Sequence, residues 1–451
     1  MKSLIRNIAF LILISLGFSS CIHDYYPGGD WEGGEISPNK TVLLLNLRAL
    51  NPSTLTTPAE KIKSVRVIIT GYPTSENEGN EGADGTKAST TSIVECNRLI
   101  EFPIYDASSF SYTLSWPSNI GKKSVYVIAN EESIGDDFSK KLSEYEETGD
   151  TGDLATWLES YSFTPEYVTT GGNIFLPYTY SRTDFEPLPG QLNTVNCWLV
   201  PVATKFVFYF QNKRSAPVRI NGISMAYANL ESYAFANIDP DSQYMEYGGE
   251  SLYWPDWLEL VSKSSWEHPE FGDNSGFNLQ YGWITDYSVP NPSDHHIFTF
   301  VDSSNAFTVP AATEVVTDEG PETVPSSATT DIFYLPESIN YLNPSEEETP
   351  DAPEETAEGE GESETPQQVY YLTINFEDLG PTNRVPKFEN VPIPNLNALF
   401  RNTFVVIRMV MGQGDIEIYA EIAPWNIVTS NGWVSEGNNP PANNPFSIRK
   451  K

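Results

Sequence analysis

The longest stretch of β-forming residues in the chain reads Asn193-Thr-Val-Asn-Cys-Trp-Leu-Val-Pro-Val-Ala-Thr-Lys-Phe-Val-Phe-Tyr-Phe210. Its valines and aromatic residues are typical of strands. Pro201 divides the stretch, because a proline inside a sheet cannot donate a ladder hydrogen bond. Gly190 marks a second break just before it. We therefore predict two consecutive strands here and place the boundary between two β domains at this point, with one domain over residues 40–192 and the next over 193–430.

The rest of the chain has the same character. Hydrophobic residues make up 39% of it and aromatic residues 13%, so a chain of 451 residues has ample material for two cores. The 34 prolines and 30 glycines, with few Ala- or Leu-rich stretches, favour short strands over helices. The composition therefore predicts an all-β fold with long loops and a few short helices.

Alternating hydrophobicity places the remaining elements. In Thr41–Leu50, the side chains of Leu43, Leu45 and Leu47 share one face, as in a strand with one buried side. Helical spacing occurs only from Phe138 to Leu158, where an acidic tract interrupts it. Further strands are predicted at Ile62–Thr70, Ser92–Glu95, Leu99–Ile104, Phe110–Trp116, Lys123–Asn130, Asn173–Tyr180, Val218–Ala226, Ser232–Ala236, Asp331–Leu335, Val369–Phe376, Thr403–Met411 and Asp415–Ala423.

Polar segments separate these strands. Apart from the strand at Asp331–Leu335, the span Asp302–Gln367 reads as a loop. Within it, Glu346–Glu364 is a low-complexity run of Glu, Pro, Thr and Gly that has too little apolar surface to order itself. We therefore predict a disordered acidic insertion at about residues 340–367. Residues 431–451 form a polar tail.

The first residues predict export. Residues 1–20 begin with Lys2 and Arg6, continue with an apolar run too short to span a bilayer, and end in small residues. The Cys that follows, Cys21, stands where a bacterial lipoprotein signal places its lipidated Cys, although Phe18 replaces the usual Leu. Residues 21–39 would then be a lipidated spacer. The alternative is an ordinary signal peptide with an incidental Cys.

The net charge of −35 excludes some partners. Nucleic acid is not expected as a partner, because its recognition needs clustered Lys and Arg. An anionic membrane surface would repel the chain, so a lipid would have to hold it there. Of the three Cys, Cys96 and Cys197 remain after lipidation. They could pair in an oxidising compartment or stay as two buried thiols.

Catalytic and metal-binding patterns are weak throughout. Asp294-His295-His296 could bind a metal, but adjacent His side chains point in opposite directions on a strand, so a loop without a ligand role is favoured. The sequence contains no nucleophile elbow, phosphate-binding loop or zinc spacing. We therefore expect no enzyme activity, no cofactor and no metal site.

A segment rich in aromatic residues, Tyr244–Tyr287, offers a different function. Its four tryptophans could stack on sugar rings while neighbouring acids and amides accept hydroxyl hydrogen bonds. The alternative is that these rings pack in a core or a domain interface. The candidate glycan-binding residues are Trp254, Trp257, Trp266 and Trp283.

Several short blocks resemble the fimbrillin superfamily, the subunits of type V pili in gram-negative anaerobes. The most specific of them is Phe400-Arg-Asn-Thr-Phe404, followed by a strand that ends in Ala423-Pro-Trp425. The others are Lys61–Gly71, Val125–Asn130, Phe175–Tyr178, Cys197–Phe210 and Asp331–Leu335. The chain departs from the family pattern at Pro201 and at Ala203-Thr204-Lys205, and in its acidic insertion.

The resemblance implies two tandem transthyretin-like, Greek-key β-sandwich domains and export as an outer-membrane lipoprotein. It also implies that an Arg-specific protease removes the first strand and that a neighbouring subunit donates a strand to the open groove. Thr41, Leu43, Leu45 and Leu47 match the removable strand, and Arg48 is the candidate cleavage site. The alternative is that this strand is permanent and Arg48 is never cut.

The function implied by the resemblance is a structural and adhesive subunit of a cell-surface fimbrium. Its expected partners are other pilus subunits, the outer membrane through the lipid on Cys21, and host or bacterial surface glycans or proteins. Whether the subunit belongs to the shaft, the tip or the anchor stays open. The alternative is a surface glycan-binding lipoprotein that uses the aromatic segment.

Overall fold

The structure is a computed structural model. It describes residues 35–38, 40–49, 57–72, 92–147, 149–165, 175–238, 244–247, 250–253, 287–288, 296–317, 320–339, 370–380, 387–393, 398–399, 401–412, 415–424 and 446–449. Over these residues the fold is all-β, as predicted. The strands, in chain order, are β1 (Lys40–Ala49), β2 (Lys61–Gly71), β3 (Ile93–Asp106), β4 (Ser111–Asn119), β5 (Lys123–Ala129), β6 (Ser162–Phe163), β7 (Tyr178–Phe185), β8 (Leu192–Pro201), β9 (Thr204–Asn212), β10 (Val218–Ala228), β11 (Ser232–Tyr233), β12 (Asn237–Ile238), β13 (Tyr244–Tyr247), β14 (Glu250–Tyr253), β15 (Tyr287–Ser288), β16 (His296–Val301), β17 (Phe307–Val309), β18 (Thr313–Thr317), β19 (Gly320–Val324), β20 (Ser326–Thr329), β21 (Phe333–Leu335), β22 (Ser338–Ile339), β23 (Tyr371–Asp378), β24 (Lys387–Pro392), β25 (Ala398–Leu399), β26 (Thr403–Met411), β27 (Asp415–Pro424) and β28 (Phe446–Arg449).

The N-terminal strands form one seven-stranded sheet in the order β3-β2-β5-β7-β8-β1-β4. The sheet folds over where β7 meets β8, a contact of only two residue pairs. Apolar side chains from both halves then meet in one core, including Leu45 of β1, Val67 of β2, Val127 of β5 and Leu199 of β8. This packing of β3-β2-β5-β7 on β8-β1-β4 is a β-sandwich.

Two short helices cover the outer face of β2 and β5. They are α1 (Asp136–Glu144) and α2 (Leu154–Ser160), with 3-10 turns at Ala107–Ser109 and Glu131–Ser133. Phe138 and Leu158 pack on Tyr126 and Ile128 of β5. Because the helices cover this face, β2 is buried on both sides, which explains its continuous apolar run. The acidic tract separates the two helices, as the sequence predicts.

The C-terminal strands form two sheets around a second core. One has the order β16-β10-β23-β24, with β17 beside β10. The other has the order β20-β9-β26-β27-β28, with β21 beside β9. Phe208 of β9, Ile223 of β10, Ile374 of β23 and Ile407 of β26 are all buried in the core between them.

Three sequence-based expectations need correction. Strand β8, which the predicted boundary assigns to the second domain, pairs with β1 and β7 in the first sheet, so the change of sheet falls between Pro201 and Thr204. The span Asp302–Gln367 is not a plain loop, because β17, β20 and β21 within it add to the edges of β10 and β9. A strand, β28, lies in the predicted polar tail and pairs with β27. Each of these three corrections arises because a strand pairs with a partner that is distant in the sequence.

Other predicted segments lie outside the described residues, among them the acidic insertion and most of the lipidated spacer. The strand predicted at Asn173–Tyr180 begins only at Tyr178, after Pro177. A search of the described part of the chain finds no helix with the length and apolar character needed to cross a membrane.

Candidate functional site

Strand β1 lies between two neighbours of opposite direction. It pairs antiparallel with β4, from Lys40 opposite Asn119 to Arg48 opposite Ser111. It pairs parallel with β8, from Val42 opposite Leu192 to Ala49 opposite Leu199. Both edges of β1 are therefore hydrogen-bonded along almost its whole length. If β1 left, two facing rows of backbone N–H and C=O groups would lose their partners.

The inner face of β1 is apolar, as the sequence predicts. Leu43, Leu45 and Leu47 are each 0% exposed and belong to the core of the first sandwich. Full burial of one leucine side chain is worth about 2 kcal/mol, so the three together contribute on the order of 6 kcal/mol. The space under β1 is therefore an apolar slot that fits aliphatic side chains.

The outer face of β1 is polar over its second half. The Asn46 side-chain amide donates to Asn196 Oδ1 at 3.1 Å, and Thr113 Oγ1 donates to Asn46 Oδ1 at 3.3 Å. The Arg48 guanidinium lies over the Trp198 ring, 5.8 Å from its centroid. Asn46 is half-buried and Arg48 is exposed. The outer face thus meets amide, hydroxyl and aromatic groups rather than a second core.

The N-terminal end of β1 is fastened by polar contacts. The Thr41 side chain is fully buried, and its hydroxyl donates to Gln191 O at 3.2 Å. The Asn193 side-chain amide donates back to Thr41 Oγ1 at 2.7 Å. Gly190, at φ 65°, donates its N–H to Lys40 O at 2.8 Å. Thr41 therefore anchors the N-terminal end of β1 through polar contacts, in addition to sharing the buried face with the leucines.

The C-terminal end of β1 contains the candidate cleavage site. Arg48 and Ala49 are both paired with β8, so the peptide bond between them lies within the sheet. Residues 50–56, which follow β1, lie outside the described part of the chain. Arg48 is the only basic residue between Lys40 and Lys61. An Arg-specific protease would therefore need the last residues of β1 to leave the ladder first.

The chain re-enters the described structure at a buried polar cluster. Glu60 Oε1 accepts from Lys205 Nζ at 2.6 Å and from the Tyr334 hydroxyl at 2.7 Å. The Tyr334 hydroxyl also lies 2.5 Å from Thr57 Oγ1. Glu60 and Lys205 are both 0% exposed. The connection after β1 is thus held to β9 and β21 of the second sandwich.

Burial alters the acid–base properties of this cluster. Desolvation lowers the pKa of Lys205, although Glu60 opposes that shift. Desolvation and the Glu60 charge raise the pKa of Tyr334 well above its usual range. Sequence reasoning missed the cluster, because Glu60, Lys205 and Tyr334 are far apart in the chain. The only signal was a Lys within an otherwise apolar strand.

A second buried ion pair involves the Arg of the resemblance motif. Arg401 Nη2 donates to Glu337 Oε2 at 2.5 Å and to Tyr233 O at 2.8 Å. Its Nη1 reaches Ala234 O at 3.3 Å and Thr179 Oγ1 of the first sheet at 3.4 Å. Arg401 therefore connects the segment before β26 to both sandwiches, and its role here is structural.

Both internal cysteines are free thiols, buried in the first core. Desolvation raises the pKa of Cys96 from its usual 9.0 to about 12 and raises that of Cys197 further. Cys197 lies on β8 opposite Leu47 of β1. Of the two arrangements left open by the sequence, the structure has the separate buried thiols.

The remaining candidate residues are mostly not described. Cys21, the four candidate glycan-binding tryptophans, Asp294 and His295 lie outside the described residues. His296 is half-buried on β16, with its ring 4.6 Å from that of Phe298. Across the described ranges, no group of three or more His, Cys, Asp and Glu side chains could hold a metal ion. The glycan-binding interpretation therefore stays a prediction.

Comparisons with known proteins gave structural similarities only. No family model and no curated protein matches the chain. The fold is similar to the tip fimbrial protein Mfa3 from Porphyromonas gingivalis, with 12% identity over 86% of this chain and 100% of that one, at a TM-score of 0.41. It is also similar to the fimbrial anchor protein Mfa2 from the same organism, with 10% identity over 84% and 97% of the two chains and a TM-score of 0.30.

A fimbrial assembly protein from Parabacteroides distasonis gives a comparable result. Its identity is 9% over 85% of this chain and 98% of that one, with a TM-score of 0.35. These TM-scores are below 0.5, so we base the functional assignment on the residues of this chain. What the comparisons establish is that the chain is similar in structure to fimbrial proteins.

Proposed function

We propose that this protein is a structural and adhesive subunit of a cell-surface fimbrium that assembles by exchange of β1 for a strand from a neighbouring subunit. The observation that supports this most is the position of β1. It is the first strand of the described chain, yet it lies between two other strands and fills an apolar slot. Such a strand is held by non-covalent contacts that another strand can reproduce.

The energetics favour replacement over simple loss. Removing β1 would expose the slot under its three buried leucines and unpair the facing edges of β4 and β8. Exposed apolar surface and open strand edges promote association. A cleaved subunit would therefore remain unstable until another strand entered. This coupling makes cleavage a trigger for assembly.

Cleavage after Arg48 fits this scheme. The bond is protected while β1 is paired, but it is the last part of the strand before the connection to Thr57. Fraying of two or three pairs would present it to a protease, since strand ends open at low free energy. The buried cluster at Glu60 would hold the new N-terminal segment in place after the cut.

We further propose that the protein is exported as an outer-membrane lipoprotein through Cys21, and that its role is not catalytic. The basis is the sequence of residues 1–21. Globomycin, which blocks lipoprotein signal cleavage, should cause an unprocessed form to accumulate. A Cys21→Ala variant should lose the lipid mass and leave the membrane fraction. Unchanged membrane retention and mass in that variant would contradict the lipid anchor.

The function is tested by the N-terminus of the protein taken from cells. Intact-mass and N-terminal peptide mass spectrometry should find a form starting at Ala49 in purified fimbriae. An Arg48→Ala variant should accumulate in its lipidated form and should be absent from purified fimbriae. A Lys61→Ala variant serves as the matched control and should be processed normally. Fimbriae built of chains that retain residues 21–48 would contradict strand exchange.

A further inference from the structure

We propose that the place of β1 accepts a strand of defined chemistry and direction from its partner, and this inference rests on the proposed function. The strand has aliphatic residues at the positions of Leu43, Leu45 and Leu47. It has an amide or hydroxyl at the position of Asn46 and a cation at the position of Arg48. It runs parallel to β8 and antiparallel to β4.

Direction follows from the two neighbours. The parallel ladder with β8 and the antiparallel ladder with β4 place donors and acceptors differently. A strand entering in reverse would be antiparallel to β8 and parallel to β4, so it would have to take a different hydrogen-bond register at both edges. The groove therefore distinguishes a sequence from its reversal even when the apolar alternation is identical.

The amide position follows from the groups on either side of it. Asn196 on β8 accepts from the Asn46 side chain, and Thr113 on β4 donates to it. An incoming Asn, Gln, Ser or Thr can make both kinds of bond. An aliphatic residue there would leave both neighbours with water alone and would place an apolar side chain on the outer face.

The cation position follows from Trp198 and from the charge of the protein. Trp198 offers a half-buried ring beside the end of the strand, where Arg48 lies over it. A cation over an aromatic ring is attracted, and an anion is not. The chain has a net charge of −35, so its overall field also favours a basic end on the incoming strand.

Peptide exchange into the full-length protein tests this specificity. A site for a sequence-specific protease is placed within residues 51–56, and the purified protein is cut there, leaving β1 bound without a covalent link. A labelled peptide with the sequence of residues 40–49 is then exchanged in under mild denaturant. Competition with unlabelled variants gives their relative affinities.

The expected results form a graded series. Leu45→Asp in the peptide should weaken binding by at least about 100-fold, because it buries a carboxylate in the slot. The reversed sequence should not compete. Arg48→Glu should weaken binding by about 10-fold at low salt and less at high salt. Asn46→Leu should weaken it by about 5-fold and Asn46→Ser by less, while Leu44→Thr serves as the near-neutral control.

Variants of the groove separate side-chain recognition from general strand propensity. In the Trp198→Ala protein the penalty for Arg48→Glu should shrink, and in the Asn196→Ala protein the penalty for Asn46→Leu should shrink. If the native peptide exchanges but all outer-face variants bind equally, the inference is overturned while strand exchange stands. If even the native peptide fails to enter the cut protein, the proposed function is overturned as well.

Discussion

Strands β1 and β26 have the same kind of neighbours but are held very differently. Each lies between a parallel strand and an antiparallel one, β8 and β4 for β1, and β9 and β27 for β26. Strand β26 is buried on both faces, with Ile407 in the second core and Val406 in a small cluster on the other side. Strand β1 is fully buried along its inner face from Thr41 to Leu47, whereas its outer face is buried only at Val42. Pairing alone therefore does not decide which strand can leave.

The contacts at the N-terminal ends of the two strands also hold β26 more firmly than β1. Arg401, just before β26, is buried in an ion pair with Glu337, and Asn402 donates its N–H to Ala203 O at 3.0 Å. The N-terminal end of β1 is tied by the hydroxyl of Thr41 and by the backbone hydrogen bond from Gly190 N–H to Lys40 O. A buried charge pair is costly to separate, whereas neutral hydrogen bonds can be exchanged with a new strand. The comparison therefore favours β1 over β26 as the strand that the proposed exchange would replace.

The largest expected effect comes from breaking the anchor of β26. Arg401→Ala should lower the free energy of unfolding by about 3–5 kcal/mol, because it leaves Glu337 buried without its cation. Chemical denaturation followed by fluorescence measures this loss. The matched control is Arg408→Ala on β26 itself, where a half-buried guanidinium lies 5.0 Å from the Tyr209 ring and the loss should stay near 1 kcal/mol. Equal effects would show that the Arg401–Glu337 pair is not a special anchor of β26.

Next in size is the inner face of β1. Leu45→Ala should cost about 3 kcal/mol, the usual range for a large-to-small change in a core. It should also speed the release of β1, which uncovers Cys197 and can be followed by thiol labelling. Leu44→Ala on the half-buried outer face is the control and should cost clearly less. Labelling rates unaffected by Leu45→Ala would mean that Cys197 becomes accessible without β1 leaving.

The buried thiols give a smaller, pH-dependent effect. Because burial raises both thiol pKa values, the folded protein keeps protons that the unfolded chain loses above its usual pKa of 9.0. Stability should therefore fall as pH rises from about 9, and for Cys96 the loss continues to about 12. Unfolding midpoints at pH 8 and 10 measure the slope. A Cys96→Ala and Cys197→Ala double variant should fall less steeply, and an identical slope would refute the thiol contribution.

The smallest stability effect is expected at the candidate cleavage site. Arg48→Ala should change the free energy of unfolding by less than about 1 kcal/mol, because its exposed side chain makes one cation–π contact. Thermal unfolding of the uncut protein measures this. A loss above 2 kcal/mol would show that Arg48 anchors β1, and its effect on processing could then no longer be assigned to cleavage.

The candidate site could be predicted only in part. The alternation of Leu43, Leu45 and Leu47 predicts a strand with one buried face, and Arg48 is the nearest Arg before the loop that follows it. The partners of the outer face, Asn196 and Trp198, could not be predicted, because register between strands 150 residues apart is not encoded in local pattern. The Glu60 cluster was missed for the same reason, since a buried acid shows itself only through its partner.

By itself, the sequence determined where most strands lie, that the fold is all-β, and that helical spacing occurs from Phe138 to Leu158. These are local properties, set by alternation, by proline and by the acidic tract. Only the tertiary structure decided that β8 belongs to the first sheet, that short strands between Phe307 and Leu335 extend the edges of β9 and β10, and that β1 lies inside a sheet. These depend on hydrogen bonds and burial between distant segments, which no stretch of sequence contains on its own.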